Sequence, residues 1–261
     1  MKYLSFTQGR LSSNNGQSFP KNWEKEIILA KKIGLKKIEW IFDSNYKFNP
    51  LLNEFKQHYI KKFLKKNDII ISSICLDNFL DEKFLANKKN YRFFENLINK
   101  ICFNFNIKKI VLPLLRKSKI DLEYLIKNKL WFVEINKMLN KNRISLCLET
   151  DLNPNFNFQL MKKINLNKIG LTFDMGNSAY WGYDQRIEMN LLFKYINHVH
   201  IKDCTPKKYS VEFGKGNVDF KYILNFLKKR NFKGEYVLQG YKPYNYKLAL
   251  IKQINFINGL L

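Results

Sequence analysis

Asn197-His198-Val199-His200-Ile201-Lys202-Asp203 alternates polar and apolar residues with the two-residue period of a β-strand. That period puts His198, His200 and Lys202 on one face, and the run ends in a charge. The chain holds three histidines and two of them lie here, so its imidazole chemistry is concentrated in one place. A strand with such a face points to a barrel whose chemistry sits where strands end.

Working outward, short β-rich runs alternate with longer amphipathic runs eight times. The predicted strands are Tyr3 to Thr7, Lys37 to Ile41, Ile69 to Cys75, Lys109 to Leu112, Ile144 to Glu149, Gly170 to Asp174, His198 to Ile201 and Tyr236 to Gln239. The predicted helices are Trp23 to Ile33, Leu51 to Lys66, Asn87 to Asn106, Leu122 to Asn140, Phe156 to Ile164, Gln185 to Tyr195, Phe220 to Lys229 and Leu248 to Ile257. Such alternation demands parallel pairing through crossovers, and eight units close most naturally into an α/β (β/α)8 TIM barrel. An open doubly wound sheet is the rival. It is disfavoured because no Gly-x-Gly-x-x-Gly follows the first strand and no phosphate loop occurs.

The length of 261 residues, 46% hydrophobic and 15% aromatic composition, and the lack of any linker-like stretch predict one domain over residues 1–261. The first ten residues turn polar too early for a signal peptide, and no apolar run reaches membrane-spanning length, so a soluble, cytoplasmic chain is expected. Cys75, Cys102, Cys147 and Cys204 form no C-x-x-C pair and read as reduced thiols. The net charge of +24 invites a nucleic-acid reading. Its lysine pairs, such as Lys61-Lys62, Lys108-Lys109 and Lys228-Lys229, are instead spread along the chain on polar helix faces, so no specific nucleic-acid partner and no membrane partner are expected.

In a barrel, the residues closing the strands share one mouth. Glu149, Asp174, His200 and Gln239 close four successive strands, and two carboxylates, an imidazole and an amide oxygen suit one divalent metal ion: Mn²⁺, Mg²⁺, Co²⁺ or Zn²⁺. Each residue alone has a plainer reading, since a strand-end acid can cap the next helix and a lone histidine can be a satisfied core residue. Four on consecutive strand ends argue for a joint site.

Gln8-Gly9-Arg10-Leu11, Phe19-Pro20 with Trp23-Glu24, Gly34-Leu35 with Ile38-Glu39-Trp40, Leu148-Glu149-Thr150, Phe173-Asp174-Met175-Gly176-Asn177, His198 to Asp203, and Gly214-Lys215-Gly216-Asn217-Val218-Asp219-Phe220 together resemble the sugar phosphate isomerase/epimerase family, with its xylose-isomerase-like barrel. The resemblance runs nearly end to end. It implies a metal-dependent isomerase or epimerase taking a small sugar or sugar phosphate, with strand-end Glu, Asp, His and Glu as ligands; Glu149, Asp174 and His200 match the first three. Two positions depart from the pattern: Gln239 stands where the second glutamate is usual, and Asn177 where D-x-x-H is common. An amide has no basic site, so proton shuttling between two carboxylates is in doubt, while one-base aldose-ketose isomerisation through an enediolate, with Glu149 as base, stays open. Lys202 is the second catalytic candidate, as a proton donor or added positive charge, or else an ion-pair partner of Glu149, Asp174 or Asp203.

Substrate-binding candidates are Arg10, Glu39, Asn177, Trp181, Lys202 and Lys215. Gly214-Lys215-Gly216 could offer N–H groups to a phosphate, or be a turn before a helix capped by Asp219. Trp40, Phe42, Trp181 and Tyr183 could stack on a sugar or pack under the loops. The excursion from Cys204 to Asn217 is a candidate lid or subunit contact, and a homo-oligomer is compatible with this reading. The alternatives carried forward are an inosose-type dehydratase or lyase, a metal- or sugar-binding barrel impaired in turnover, and an abasic-site endonuclease; the last is disfavoured because His58 is the one histidine left for a larger metal cluster.

Overall fold

The computed structural model describes residues 4–13, 17–82, 84 and 88–260. Eight parallel strands close in sequential order into a barrel: β1 (Leu4–Thr7), β2 (Lys37–Ile41), β3 (Ile70–Cys75), β4 (Lys109–Leu114), β5 (Ser145–Thr150), β6 (Ile169–Asp174), β7 (Ile196–Ile201) and β8 (Glu235–Leu238). The pairing of β1 with β8 completes the ring. Around it lie α1 (Trp23–Lys32), α2 (Glu54–Asn67), α3 (Lys88–Asn96), α4 (Phe103–Phe105), α5 (Leu122–Lys127), α6 (Lys129–Asn142), α7 (Pro154–Ile164), α8 (Met175–Trp181), α9 (Gln185–Leu192), α10 (Phe220–Lys229) and α11 (Tyr246–Asn258). Tyr3 and Asn87, which the sequence reading placed in the first strand and third helix, lie outside the described residues.

The alternation within each strand sorts the core into two parts. Outward positions such as Phe6, Ile38, Ile110, Leu148, Phe173, Val199 and Leu238 pack against the apolar stripes of the helices in one continuous core. Ile41, Cys75, Val111 and Cys147 are successive register partners and form a small separate cluster inside the ring. Much of the remaining interior is polar: Ser5, Thr7, Glu39, Ser73, Thr172 and His198 are all buried. Glu39 and Cys147 sit at mid-strand positions, below the strand ends that form the mouth.

Helix starts are set by capping, with the side chains of Asn53, Asp121, Asn153, Asp174, Asp184, Asp219 and Asn245 each accepting an N–H from the first turn. Capping accounts for the first of two departures from the predicted helices. Asn53 starts α2 after a separate 3₁₀ turn, Pro50–Leu52, and the predicted helix from Leu122 to Asn140 is broken at Asn128 into α5 and α6. The third helix passes through a π turn at Leu97–Cys102. Helix α8 was not predicted: it is short, follows β6 without a loop, and is capped by a residue that reads as a ligand. Among the described residues, no helix is long and apolar enough to cross a membrane.

Candidate active site

The centre of the barrel is organised on Glu39. Its Oε1 lies 3.0 Å from His200 Nε2 and accepts from Thr7 Oγ1 at 3.3 Å; its Oε2 lies 3.0 Å from His198 Nε2 and accepts from Ser73 Oγ at 2.9 Å. All three ionisable side chains are fully buried. Burial alone would raise the Glu39 pKa, but the two imidazoles beside it outweigh that and hold it well below the usual carboxylate range. Burial likewise opposes charge on His200, yet Glu39 and Glu149 together hold its pKa well above the usual value; for His198 burial wins and its pKa is lowered.

An ionised Glu39 can only accept, so His200 Nε2 carries the proton it donates, and Nδ1, the ring nitrogen that turns to the mouth, would release its own proton on taking up an ion. There Nδ1 lies 3.4 Å from Glu149 Oε2, too poorly aligned to make a hydrogen bond. Asp174 completes the group, and ligand atoms of Glu149, Asp174 and His200 all lie within 4.8 Å of one another. Asp174 divides its two oxygens. Oδ1 caps α8 by accepting the Asn177 N–H at 2.8 Å, which is the plainer role for a strand-end acid, while buried Oδ2 has no partner.

Two buried, unpartnered donor atoms facing a second carboxylate form a set that a divalent ion would satisfy, and imidazole with carboxylates suits a metal of intermediate hardness. The residues fit the ion that the sequence reading called for. Gln239, the fourth expected donor, is buried directly after β8, its backbone N–H donating to Ile201 O at 2.9 Å. A second group, Glu39 with His198 and His200, also has ligand spacing, but its atoms already satisfy one another.

The remaining candidates separate. Asn177 is in the site: Nδ2 donates to Glu149 Oε1 at 3.2 Å. Lys202 is buried at the mouth with its ammonium 3.3 Å from the centroid of the Tyr209 ring, in place of the ion pair considered for it. Arg10 donates Nη1 to Gly240 O at 2.9 Å and Nη2 to Gln17 Oε1 at 3.2 Å, so it ties the first βα loop to the last, and burial lowers its pKa to about 10. Gln17 in turn donates to Asp77, whose pKa burial raises to about 6.

Glu39 departs from its expected place, and elsewhere the structure decides between alternatives. Glu39 lies in the floor, fully buried and committed to the two histidines, so it faces no substrate; its mid-strand position puts it below the mouth. The Gly214-Lys215-Gly216 segment takes the turn reading, with Asp219 capping α10 just behind it: Gly214 and Gly216 donate to Asp203 Oδ2 at 2.8 and 2.9 Å and so are not free for a phosphate, and Lys215 itself is exposed on that turn. Trp40 and Phe42 are fully buried among Phe19, Trp23 and Phe93 and form no stacking wall. Tyr183, its hydroxyl donating to Asp151 O, and Trp181, half-exposed with the Lys119 ammonium 5.6 Å from its ring, both line the cavity beside Asp174 and Asn177.

Sequence reading missed Tyr209, which lies in an irregular loop with no periodicity to mark it.

Set against known proteins, the chain and its barrel have relatives. A Haemophilus influenzae protein with the provisional name L-ribulose-5-phosphate 3-epimerase SgbU is 26% identical over 253 residues, 88% of each chain. D-psicose 3-epimerase from Clostridium cellulolyticum H10, solved with D-tagatose, has the same fold with a TM-score of 0.76, 12% identity, and 99% of each chain covered. The IOLI protein, solved with a zinc atom, superposes with a TM-score of 0.74, 17% identity and 99% coverage of both chains. The model of the xylose isomerase-like TIM barrel family matches residues 27–258, and the chain belongs to that family.

Proposed function

We propose that this protein is a metal-dependent sugar or sugar-phosphate isomerase or epimerase that works by removing a proton next to a carbonyl. The observation that carries the reading is the buried triad Glu149, Asp174 and His200 at the barrel mouth, with Asp174 Oδ2 and His200 Nδ1 left without hydrogen-bond partners. The curated relative named as an epimerase supports an isomerase-type enzyme, and its named substrate supports a sugar phosphate. Glu149, Asp174 and His200 would hold the ion, with Gln239 as a fourth donor. When bound, the ion polarises a carbonyl and stabilises developing negative charge on oxygen.

The chain's own groups supply the proton chemistry. Glu149 takes the proton from the carbon beside the carbonyl, and the C–H electron pair moves into the new carbon-carbon double bond while the carbonyl electrons move to oxygen. Returning that proton to the former carbonyl carbon, while the hydroxyl proton of the deprotonated carbon passes to the former carbonyl oxygen and its C–O bond becomes the new carbonyl, completes an aldose-ketose exchange with one base. Gln239 has no basic atom with which to return a proton from the opposite face, which favours this one-base route over two-carboxylate epimerisation. Asn177 holds Glu149 Oε1, and Lys202 offers an ammonium to a substrate oxygen or phosphate at the mouth. Trp181 offers an apolar face to a sugar ring.

The test is to load the purified protein with Mn²⁺, Mg²⁺ or Co²⁺ and incubate it in heavy water with a panel of ketoses, aldoses, their phosphates and inososes. The expected result is deuterium at one carbon of one substrate class, with conversion abolished in Glu149→Gln while the fold is retained. Loss of water from an inosose would move the protein to the dehydratase reading. Absence of both metal uptake and exchange would overturn the proposal.

A further inference from the structure

The loop from Cys204 to Asn217 is built around Asp203. Its carboxylate accepts N–H groups from Gly214 and Gly216 at 2.8 and 2.9 Å and from Val218 at 3.3 Å, and its carbonyl accepts from Val211 at 2.9 Å. Gly216 is required at this clamp, because any Cβ would overlap Asp203 Oδ1 and the Cys204 carbonyl. Within the loop Cys204 Sγ meets the Tyr209 carbonyl. The clamp thus holds Tyr209 over the mouth, next to the triad.

There Tyr209 makes two contacts with residues of the site. Its hydroxyl donates to Asn177 Oδ1 at 3.1 Å, and its ring lies against the Lys202 ammonium. A side-chain amide is nearly symmetric in shape, so its orientation is decided by what each end meets. With a hydroxyl donor on Oδ1, Nδ2 is turned to donate to Glu149 Oε1. Lys202 is seated from below as well. Its stem crosses the first turn of α8 at Gly176, where a Cβ would stand 2.7 Å from Lys202 Cγ.

We propose that Tyr209 is a positioning residue: its hydroxyl orients the Asn177 amide toward Glu149, and its ring holds the Lys202 ammonium at the mouth. In its metal-binding consequence this rests on the function proposed above. Tyr209→Phe removes one neutral donor and keeps the ring, which predicts a change of ~3–10-fold in whatever depends on Asn177. Tyr209→Leu removes the ring as well and frees Lys202.

The experiment compares wild type, Tyr209→Phe, Asn177→Ala, the double variant, Tyr209→Leu and, as a control on an exposed tyrosine, Tyr244→Phe. In metal-free ¹⁵N-labelled protein, exchange of the Asn177 side-chain amide protons with water should quicken in Tyr209→Phe and stay unchanged in Tyr244→Phe. Labelling of Lys202 by an amine reagent should quicken in Tyr209→Leu and not in Tyr209→Phe. In a Mn²⁺ titration Tyr209→Phe should weaken binding ~3–10-fold, and the double variant should be no weaker than Asn177→Ala, because the hydroxyl acts through the amide. Unchanged amide exchange in Tyr209→Phe, unchanged Lys202 labelling in Tyr209→Leu, or additive losses of Mn²⁺ affinity would each overturn the proposal. A wild type that binds no Mn²⁺ would refute the metal reading instead, and the exchange and labelling measurements would still decide the role of Tyr209.

Discussion

Glu39→Gln tests the argument that one buried carboxylate sets the protonation pattern of the site. The wild-type side chain meets His198 Nε2 and His200 Nε2 at 3.0 Å each, Ser73 Oγ at 2.9 Å and Thr7 Oγ1 at 3.3 Å. Glutamine keeps one acceptor oxygen and turns an NH₂ group toward one histidine and one hydroxyl. The hydroxyl can rotate and accept. The imidazole cannot do so without moving its proton to Nδ1, and each choice has a cost. On His198 the proton would sit on a buried Nδ1 that has no partner. On His200 it would occupy the nitrogen that faces Glu149 and would remove it as a ligand. A charge-assisted hydrogen bond contributes about 1.5–3 kcal/mol, so the loss of one, with the stranded donor, should lower unfolding free energy by about 2–4 kcal/mol. On the proposed metal reading, loss of the carboxylate that orients His200 should weaken Mn²⁺ by ~10–100-fold. Urea unfolding followed by circular dichroism gives the first quantity and titration calorimetry the second. Wild-type values for both in Glu39→Gln would refute the claim that Glu39 fixes the histidine tautomers.

Three further outcomes follow from particular contacts. Burial raises the Glu26 pKa to about 7 against the N–H groups of Gly9 and Leu11 that it accepts, so the native state keeps a proton that the unfolded chain releases at about 4.5. That contribution is complete below the lower value and lost as pH rises through the upper one, by up to about 3 kcal/mol. Urea unfolding at pH 5 and pH 8 should therefore show a steeper loss in wild type than in Glu26→Gln, and parallel profiles would count against it. Gly216→Ala forces the Asp203 clamp open and should cost about 1–3 kcal/mol in thermal unfolding while reproducing the faster Lys202 labelling of Tyr209→Leu. The free thiols are buried, and burial pushes Cys147 and Cys204 up to about 12, so a thiol reagent at pH 8 should find all four silent until denaturant is added; reaction of Cys204 in the folded protein would show that its loop opens.

The fold was legible in the linear order because it rests on periodicity, which is local: apolar alternation marked all eight strands, and amphipathic spacing marked most of the helices between them. The donor set was legible for a related reason. Strand ends in a closed parallel ring face one mouth, so Glu149, Asp174 and His200 could be brought together on paper from chain position alone, and the structure places their ligand atoms within 4.8 Å of one another. Short α8 escaped because a seven-residue helix that follows a strand directly has little periodic signature.

What the residue order leaves open is the direction and occupancy of each polar group, since these depend on neighbours far apart in the chain. Glu39 reads like any other strand carboxylate until His198 and His200, some 160 positions away, are found to claim both its oxygens. Asp203 reads as a mouth charge until its oxygens are filled by the backbone of its own loop, and Tyr209 reads as nothing until that loop carries it onto Asn177 and Lys202. Strand and helix propensities are properties of short segments, whereas a hydrogen bond or ion contact exists only when distant segments are packed to within about 3 Å. The ring could thus be inferred from pattern, while the wiring inside it needed coordinates.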